Sequence, residues 1–249
     1  MKLKNHLLAL MLAPTFLTHP ASAELTPEQK QEIEQLVADY LEQNPEVVIK
    51  AIQAWREQQK AAEAALLKQT IDELRKEVEH SSSPVWGNPE GKTVIVEFSD
   101  YNCPYCKRVF PEVARLVEED GDIRIVMKEL PVLGPGSEYA AKAALAAWKQ
   151  GKYEAFHKLM MTSGARVSRD GVNAVAREAG LDLERMKKDM ESPEVEQELQ
   201  QNQLWAERLG ITGTPAFVIG DEMIPGAIDG KSMMRLVEAA RGKNGKSAQ

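Results

Sequence analysis

The sequence predicts an α/β protein in which a strand–helix–strand unit and a short return to β structure are separated by a long helical block, all preceded by a helical extension. Three features predict it. Thr93 to Phe98 (TVIVEF) and Ile123 to Lys128 are β-branched, apolar runs of buried-strand length with a helical pattern between them. Residues 138–209 show helical spacing and helix-end signals only. Ala216 to Ile219 is again an apolar run, followed by a Gly220-Asp221 turn signal.

The chain starts with a targeting pattern. Lys2 and Lys4 precede an apolar run from Leu7 to Leu17, and Ala21-Ser22-Ala23 fits a small-residue cleavage site. Residues 1–23 are therefore expected to be a signal peptide cleaved after Ala23. The run is short and is interrupted by Pro14, which argues against a membrane anchor.

Residues 24–80 form the extension. Thr26-Pro27 is a helix start, and Ile33, Leu36, Val37, Tyr40 and Leu41 recur at helical spacing. Asn44-Pro45 breaks that helix, because proline lacks a donor and disfavours a helical residue before it. A second helix begins at Pro45 and carries Val48, Ile52, Trp55, Leu66, Leu74 and Val78. An amphipathic helix outside a compact domain needs a surface to cover its stripe. It could fold back on its own domain or pair with a copy of itself, and self-association into a homo-oligomer is the expectation favoured.

Residues 81–92 (SSSPVWGNPEGK) read as a linker by composition. Residues 93–134 and 210–241 then make the strand-bearing domain. A helix starts at Cys103-Pro104 and runs to about Glu119, with Val109, Phe110, Val113 and Leu116 on one face. A strand, helix and strand in this order give a parallel pair with a right-handed crossover. Residues 135–209 form an inserted helical domain. A last helix ends near Arg241, and residues 242–249 are expected to be a flexible tail.

Composition narrows the function. The chain has 249 residues, 28% of them charged, and a net charge of −7, without a long Lys/Arg run. A nucleic-acid partner would call for a basic face, so none is expected. There are two cysteines, Cys103 and Cys106, both after the signal. A bond between them closes a loop too small to constrain the unfolded chain usefully, so a staple is a poor explanation. A zinc half-site would need two more ligands, and outside the signal the only histidines are His80 and His157. No metal and no cofactor beyond a redox-active Cys103–Cys106 disulfide are expected.

Placement gives the pair its chemistry. Cys103 falls where a strand ends and a helix begins, so free N–H groups and the positive helix end favour its thiolate. Cys106, one turn on, can reach the Cys103 sulfur and should be the more buried of the two. Pro104 suits the first helical turn.

The segment VEFSDYNCPYC, followed about a hundred residues later by GTPAFVIG, resembles the thioredoxin superfamily, and the helical block between them resembles its DsbA branch. The fold implied is a thioredoxin fold with an inserted helical domain, over residues 84–241. The resemblance implies that Cys103 attacks and Cys106 resolves, with substrate backbone lying along Thr214 and a cis Pro215. Pro104 and Tyr105 would also face substrate. It makes Glu97 a buried acid exchanging a proton with Cys106, and Lys128 a neighbour of that acid in a proton relay. Members with His between the cysteines are strong oxidants. Tyr105 brings no cation, so a less oxidising pair is expected, between glutaredoxins at about −200 to −230 mV and the DsbA extreme at about −120 mV.

The extension resembles those of ScsC-like proteins and DsbA-family surface antigens, and Thr214 before the proline resembles the disulfide isomerases. Together these imply a periplasmic thiol:disulfide oxidoreductase acting on unfolded or misoxidised exported proteins, leaning to isomerase or reductase with a DsbD-type membrane partner. A DsbA-like oxidase recharged by a DsbB-type partner is the alternative, and an oligomeric surface antigen or adaptor with secondary redox activity is a third. Attachment to the outer membrane is left open. Copper handling, suggested by the ScsC likeness, has no ligands here beyond the two thiols.

Overall fold

A computed structural model describes residues 25–80, 83–164 and 166–244. The expected signal peptide and the end of the expected tail, residues 245–249, lie outside the described residues. The chain divides into two compact units, with the boundary between Gln59 and Lys60.

The first unit holds helix α1 (Pro27–Gln43) and the first part of α2 (Pro45–His80). Thr26 caps α1 as its sequence predicts. Its hydroxyl accepts the Gln29 N–H, and the Gln29 side chain accepts the Thr26 N–H. No residue of α1 is buried. Leu36, Val37 and Tyr40 on α1, and Ile49 and Trp55 on α2, are more than half exposed.

The second unit contains a five-stranded sheet. Its strands are β1 (Val85–Gly87), β2 (Thr93–Ser99), β3 (Ile123–Glu129), β4 (Ala216–Ile219) and β5 (Glu222–Pro225). Their order is β1-β3-β2-β4-β5. The β2–β3 pair is parallel and is bridged by helix α3 (Pro104–Glu119), while every other pair is antiparallel. Helices α4 (Pro135–Lys149), α5 (Tyr153–Thr162), α6 (Arg169–Glu178), α7 (Leu183–Met190) and α8 (Pro193–Arg208) form the insert, and α9 (Gly230–Asn244) closes the chain.

Both faces of the sheet are covered, which explains why β2 and β3 read as continuous apolar runs. One face packs Ile95, Ile125, Met127 and Phe217 against α3 and α9. The other packs Val96, Phe98, Val126 and Val218 against Trp205 of α8 and Ile71, Leu74 and Val78 of α2. Burying each such side chain contributes about 1.5–3 kcal/mol.

Three expectations are corrected. The segment read as a linker contains β1, a three-residue edge strand whose Trp86 is buried and stacks on Phe110 at 5.4 Å. Ser, Pro and Gly around it hid a strand too short to show alternation. The extension does not end at residue 80 as a separate element, because the last turns of α2 belong to the sheet's core. The described part of the tail continues α9 to Asn244.

Candidate active site

Strand β2 ends at Ser99, and the turn that follows delivers Cys103 to the N-cap of α3. Asp100 shapes that turn. Its main-chain oxygen accepts the Cys103 N–H at 3.0 Å. Its carboxylate accepts the N–H groups of Asn102 at 2.7 Å, Val132 at 2.9 Å and Leu133 at 3.0 Å. One buried side chain thus ties the redox turn to the loop after β3.

Cys103 and Cys106 are free thiols, and both are buried. Cys103 Sγ accepts the Cys106 N–H at 3.4 Å and so caps the first turn of α3. It also donates to the Thr214 carbonyl at 3.1 Å. The Thr214-Pro215 peptide bond is cis. Thr214, Tyr105, Val109 and Ile228 line a groove of about 480 Å³ beside the thiols. Pro104 and Tyr105 are exposed, as substrate contacts require. The Arg108 guanidinium lies 5.0 Å from the Tyr105 ring centre, so a cation reaches the dipeptide from the helix rather than from within it.

Glu97 is buried on the same sheet face as Cys106. Burial pushes its carboxyl up to about 8, with Ser99 pulling the other way. Burial also pushes the Cys106 thiol up. The Asp100 main chain and Ser99 oppose that, and Glu97 and Cys103 add to it.

Lys128 is not brought to Glu97. Glu97 is registered with Met127, and Lys128 with Phe98. Alternate residues of a strand face opposite sides, so the lysine points away from the thiols. Its fully buried ammonium donates to Ser83 at 2.8 Å and lies 3.5 Å from both Glu77 and Glu198. The relay partner expected from the resemblance is therefore corrected to a structural ion cluster joining α2, β3 and α8.

Sequence reasoning missed a polar cluster on the redox side. Tyr101 and Tyr153 both donate to Glu129 Oε1, at 3.1 and 2.8 Å, and His157 Nδ1 lies 3.0 Å from the Tyr101 hydroxyl. All four residues are buried. Strand parity was the available signal, since Ile123, Ile125, Met127 and Glu129 share one face of β3. Among the described residues no group of three or more His, Cys, Asp or Glu side chains is placed to hold a metal ion.

A dithiol at the head of the helix bridging two parallel strands, opposite Thr214-Pro215, defines the class of thioredoxin-fold redox proteins. The chain belongs to the DSBA-like thioredoxin domain family, whose model matches residues 94–238. Residues 29–62 match the copper resistance protein ScsC N-terminal domain. A thioredoxin-like oxidoreductase from Silicibacter pomeroyi DSS-3 is 47% identical, with 66% of this chain and 95% of that chain covered and a TM-score of 0.65. A linker-deletion mutant of Proteus mirabilis ScsC is 30% identical, with 90% and 100% covered and a TM-score of 0.67. A Na(+)/H(+) antiporter NhaA of Herminiimonas arsenicoxydans is 28% identical over 166 residues, 66% of this chain and 26% of the antiporter. The chain thus spans about a quarter of the length of the curated antiporters it matches.

Proposed function

We infer that this chain is an exported thiol:disulfide oxidoreductase that works in the periplasm on other exported proteins. The observation that carries the reading is the Cys103 sulfur, which caps α3 and faces the Thr214 carbonyl. In the oxidising direction a substrate thiolate attacks Cys103 Sγ, and the Cys103–Cys106 bond breaks. Cys106 leaves with the two bonding electrons and takes the proton held by Glu97. A second substrate thiolate then attacks the substrate sulfur of the mixed disulfide and releases Cys103. Two electrons pass from the substrate to the pair. The reverse sequence reduces a substrate disulfide. In isomerisation Cys103 opens a wrong disulfide, and a substrate thiol or Cys106 releases it.

The reading leans to isomerase or reductase activity, with a DsbD-type membrane partner keeping the pair reduced. The exposed apolar stripe of α1 and α2, in the stretch resembling the ScsC N-terminal domain, supports a homo-oligomer that brings several redox sites together. Among the described residues no helix is long and apolar enough to cross a membrane. The test is the redox state of Cys103 and Cys106 in cells, trapped by acid quenching and read by thiol alkylation. A mainly reduced pair is expected. A mainly oxidised pair would reverse the assignment to a DsbA-like oxidase with a DsbB-type partner.

A further inference from the structure

A second carboxyl lies beneath the redox turn, and the exchange chemistry above does not use it. Glu129 ends β3 in register with Ser99, while Glu97 is in register with Met127. Residues two apart on a strand share a face, so Glu97 and Glu129 are diagonal neighbours on the side that carries Cys106. Glu97 is 3% exposed and Glu129 2%. Their surroundings differ. Glu129 Oε1 accepts from two phenols, whereas Glu97 Oε2 has no hydrogen-bond partner among the described residues.

The donors run in one direction. With the Tyr101 hydroxyl donating to Glu129, the Nδ1 of His157 donates to the Tyr101 oxygen, so Tyr101 and Tyr153 point their hydrogens at Glu129 and His157 supports Tyr101 from behind. Burial holds His157 neutral, pushed down to about 3 with the Lys158 charge adding to it, and holds both tyrosines well above their ordinary value. The Glu129 main-chain oxygen accepts from Asn202 of α8 at 3.1 Å. Burial pushes the Glu129 carboxyl up, the Tyr153 and Tyr101 hydroxyls pull it down, and the charges of Asp100 and Glu97 push it up. No cationic side chain among the described residues pairs with either carboxyl, since Lys128 serves the opposite face. A buried anion belongs where hydrogen-bond donors converge, and two neighbouring carboxylates resist ionising together.

We propose that Glu97 and Glu129 hold one negative charge between them, that Glu129 carries it, and that Glu129 thereby acts as a positioning residue for the proton of Glu97. The inference rests on the proton exchange between Glu97 and Cys106 described above. The Glu129 anion opposes ionisation of Glu97, so Glu97 keeps an exchangeable proton near neutral pH, where an acid–base group works best. Burial pushes both carboxyls up to about 8, so burial singles out neither; the two phenols that donate to Glu129 distinguish it.

The test follows one step at a series of pH values in the reduced full-length protein mixed with oxidised glutathione. Cys103 attacks the glutathione disulfide and one glutathione thiolate leaves. Cys106 then gives its proton to Glu97, attacks Cys103 Sγ and releases the second glutathione. Rapid acid quenching separates the mixed disulfide from the Cys103–Cys106 disulfide and gives the rate of this second step. Glu97→Gln should flatten its rise with pH. Glu129→Gln keeps an oxygen for the phenols and removes the charge, so the midpoint of the rise should fall by about one pH unit. If Glu129→Gln does not fold, Tyr153→Phe should move the midpoint the same way by less, because it removes one donor and shifts charge onto Glu97. A purely structural role would lower the melting temperature without moving the midpoint. A midpoint unmoved by these variants while Glu97→Gln flattens the rise overturns the charge sharing alone. A rise that survives Glu97→Gln overturns the role of Glu97 and the inference with it.

Discussion

The Cys103 thiol donates to the main-chain oxygen of Thr214 at 3.1 Å while its sulfur accepts the Cys106 N–H at 3.4 Å. The two bonds respond oppositely to ionisation. Loss of the proton ends the first and strengthens the second. A substrate N–H brought to Thr214 would satisfy the freed carbonyl, so docking and thiolate formation at Cys103 favour each other.

Removing Cys106 should stop the exchange halfway. Cys106→Ala leaves Cys103 at the helix end but deletes the resolving sulfur. Mixed disulfides with exported proteins should accumulate and appear as reducible high-mass bands on non-reducing electrophoresis. An absence of such bands would count against resolution by Cys106.

Stability should depend on pH through Glu97. Its ordinary value is 4.5, and in the fold burial raises it to about 8. The fold therefore holds the neutral acid, and this contribution is complete below about pH 4.5 and lost as pH rises through about 8. Reduced Glu97→Gln should gain stability relative to the parent between about pH 5 and pH 9, on the order of 2 kcal/mol after relaxation of the site. His157 works in the other direction, since its contribution is present above about pH 6.5 and is lost as pH falls through about 3. Denaturant titrations of parent and variant across the pH range read both.

Lys128→Met should uncouple stability from chemistry. It leaves Ser83, Glu77 and Glu198 facing one another without their cation. Both glutamates keep some solvent, so the loss should be about 2 kcal/mol, below the 3–5 kcal/mol typical of a fully buried pair. The redox potential should not change. A shifted potential would restore a link between Lys128 and the thiols.

Tyr105→His should make the pair more oxidising. The parent is expected to titrate against glutathione below the DsbA extreme of about −120 mV, and a cationic imidazole next to Cys103 should move it toward that value. A parent already at the extreme would show that Arg108, stacked on Tyr105, supplies the charge that the dipeptide lacks.

Much of this arrangement was legible in the sequence because it is local. A CxxC at a strand-to-helix junction, the Pro104 start of α3, and Thr214-Pro215 before an apolar strand carry their signals within a few residues. What was hidden depends on which way a side chain faces. Lys128 and Glu129 are adjacent in sequence, and one residue of parity sends the first to a salt cluster and the second beneath the thiols. Tyr153 and His157 come from the helical insert, so their meeting with Tyr101 and Glu129 is set by tertiary packing that no spacing announces. The strand β1 was unreadable because three residues cannot show a period.

The last turns of α2 complicate any shortened form of the protein. Ile71, Leu74 and Val78 cover Val96, Phe98 and Val218, yet they lie upstream of residue 94, where the match to the family begins. A chain starting at Lys60 keeps that cover. A chain starting at residue 81 bares an apolar patch on the sheet at the same time as it loses the stripe of α1. Light scattering should therefore report a smaller, monodisperse particle for the first. The second should be sticky, associating through a surface that the whole protein never presents.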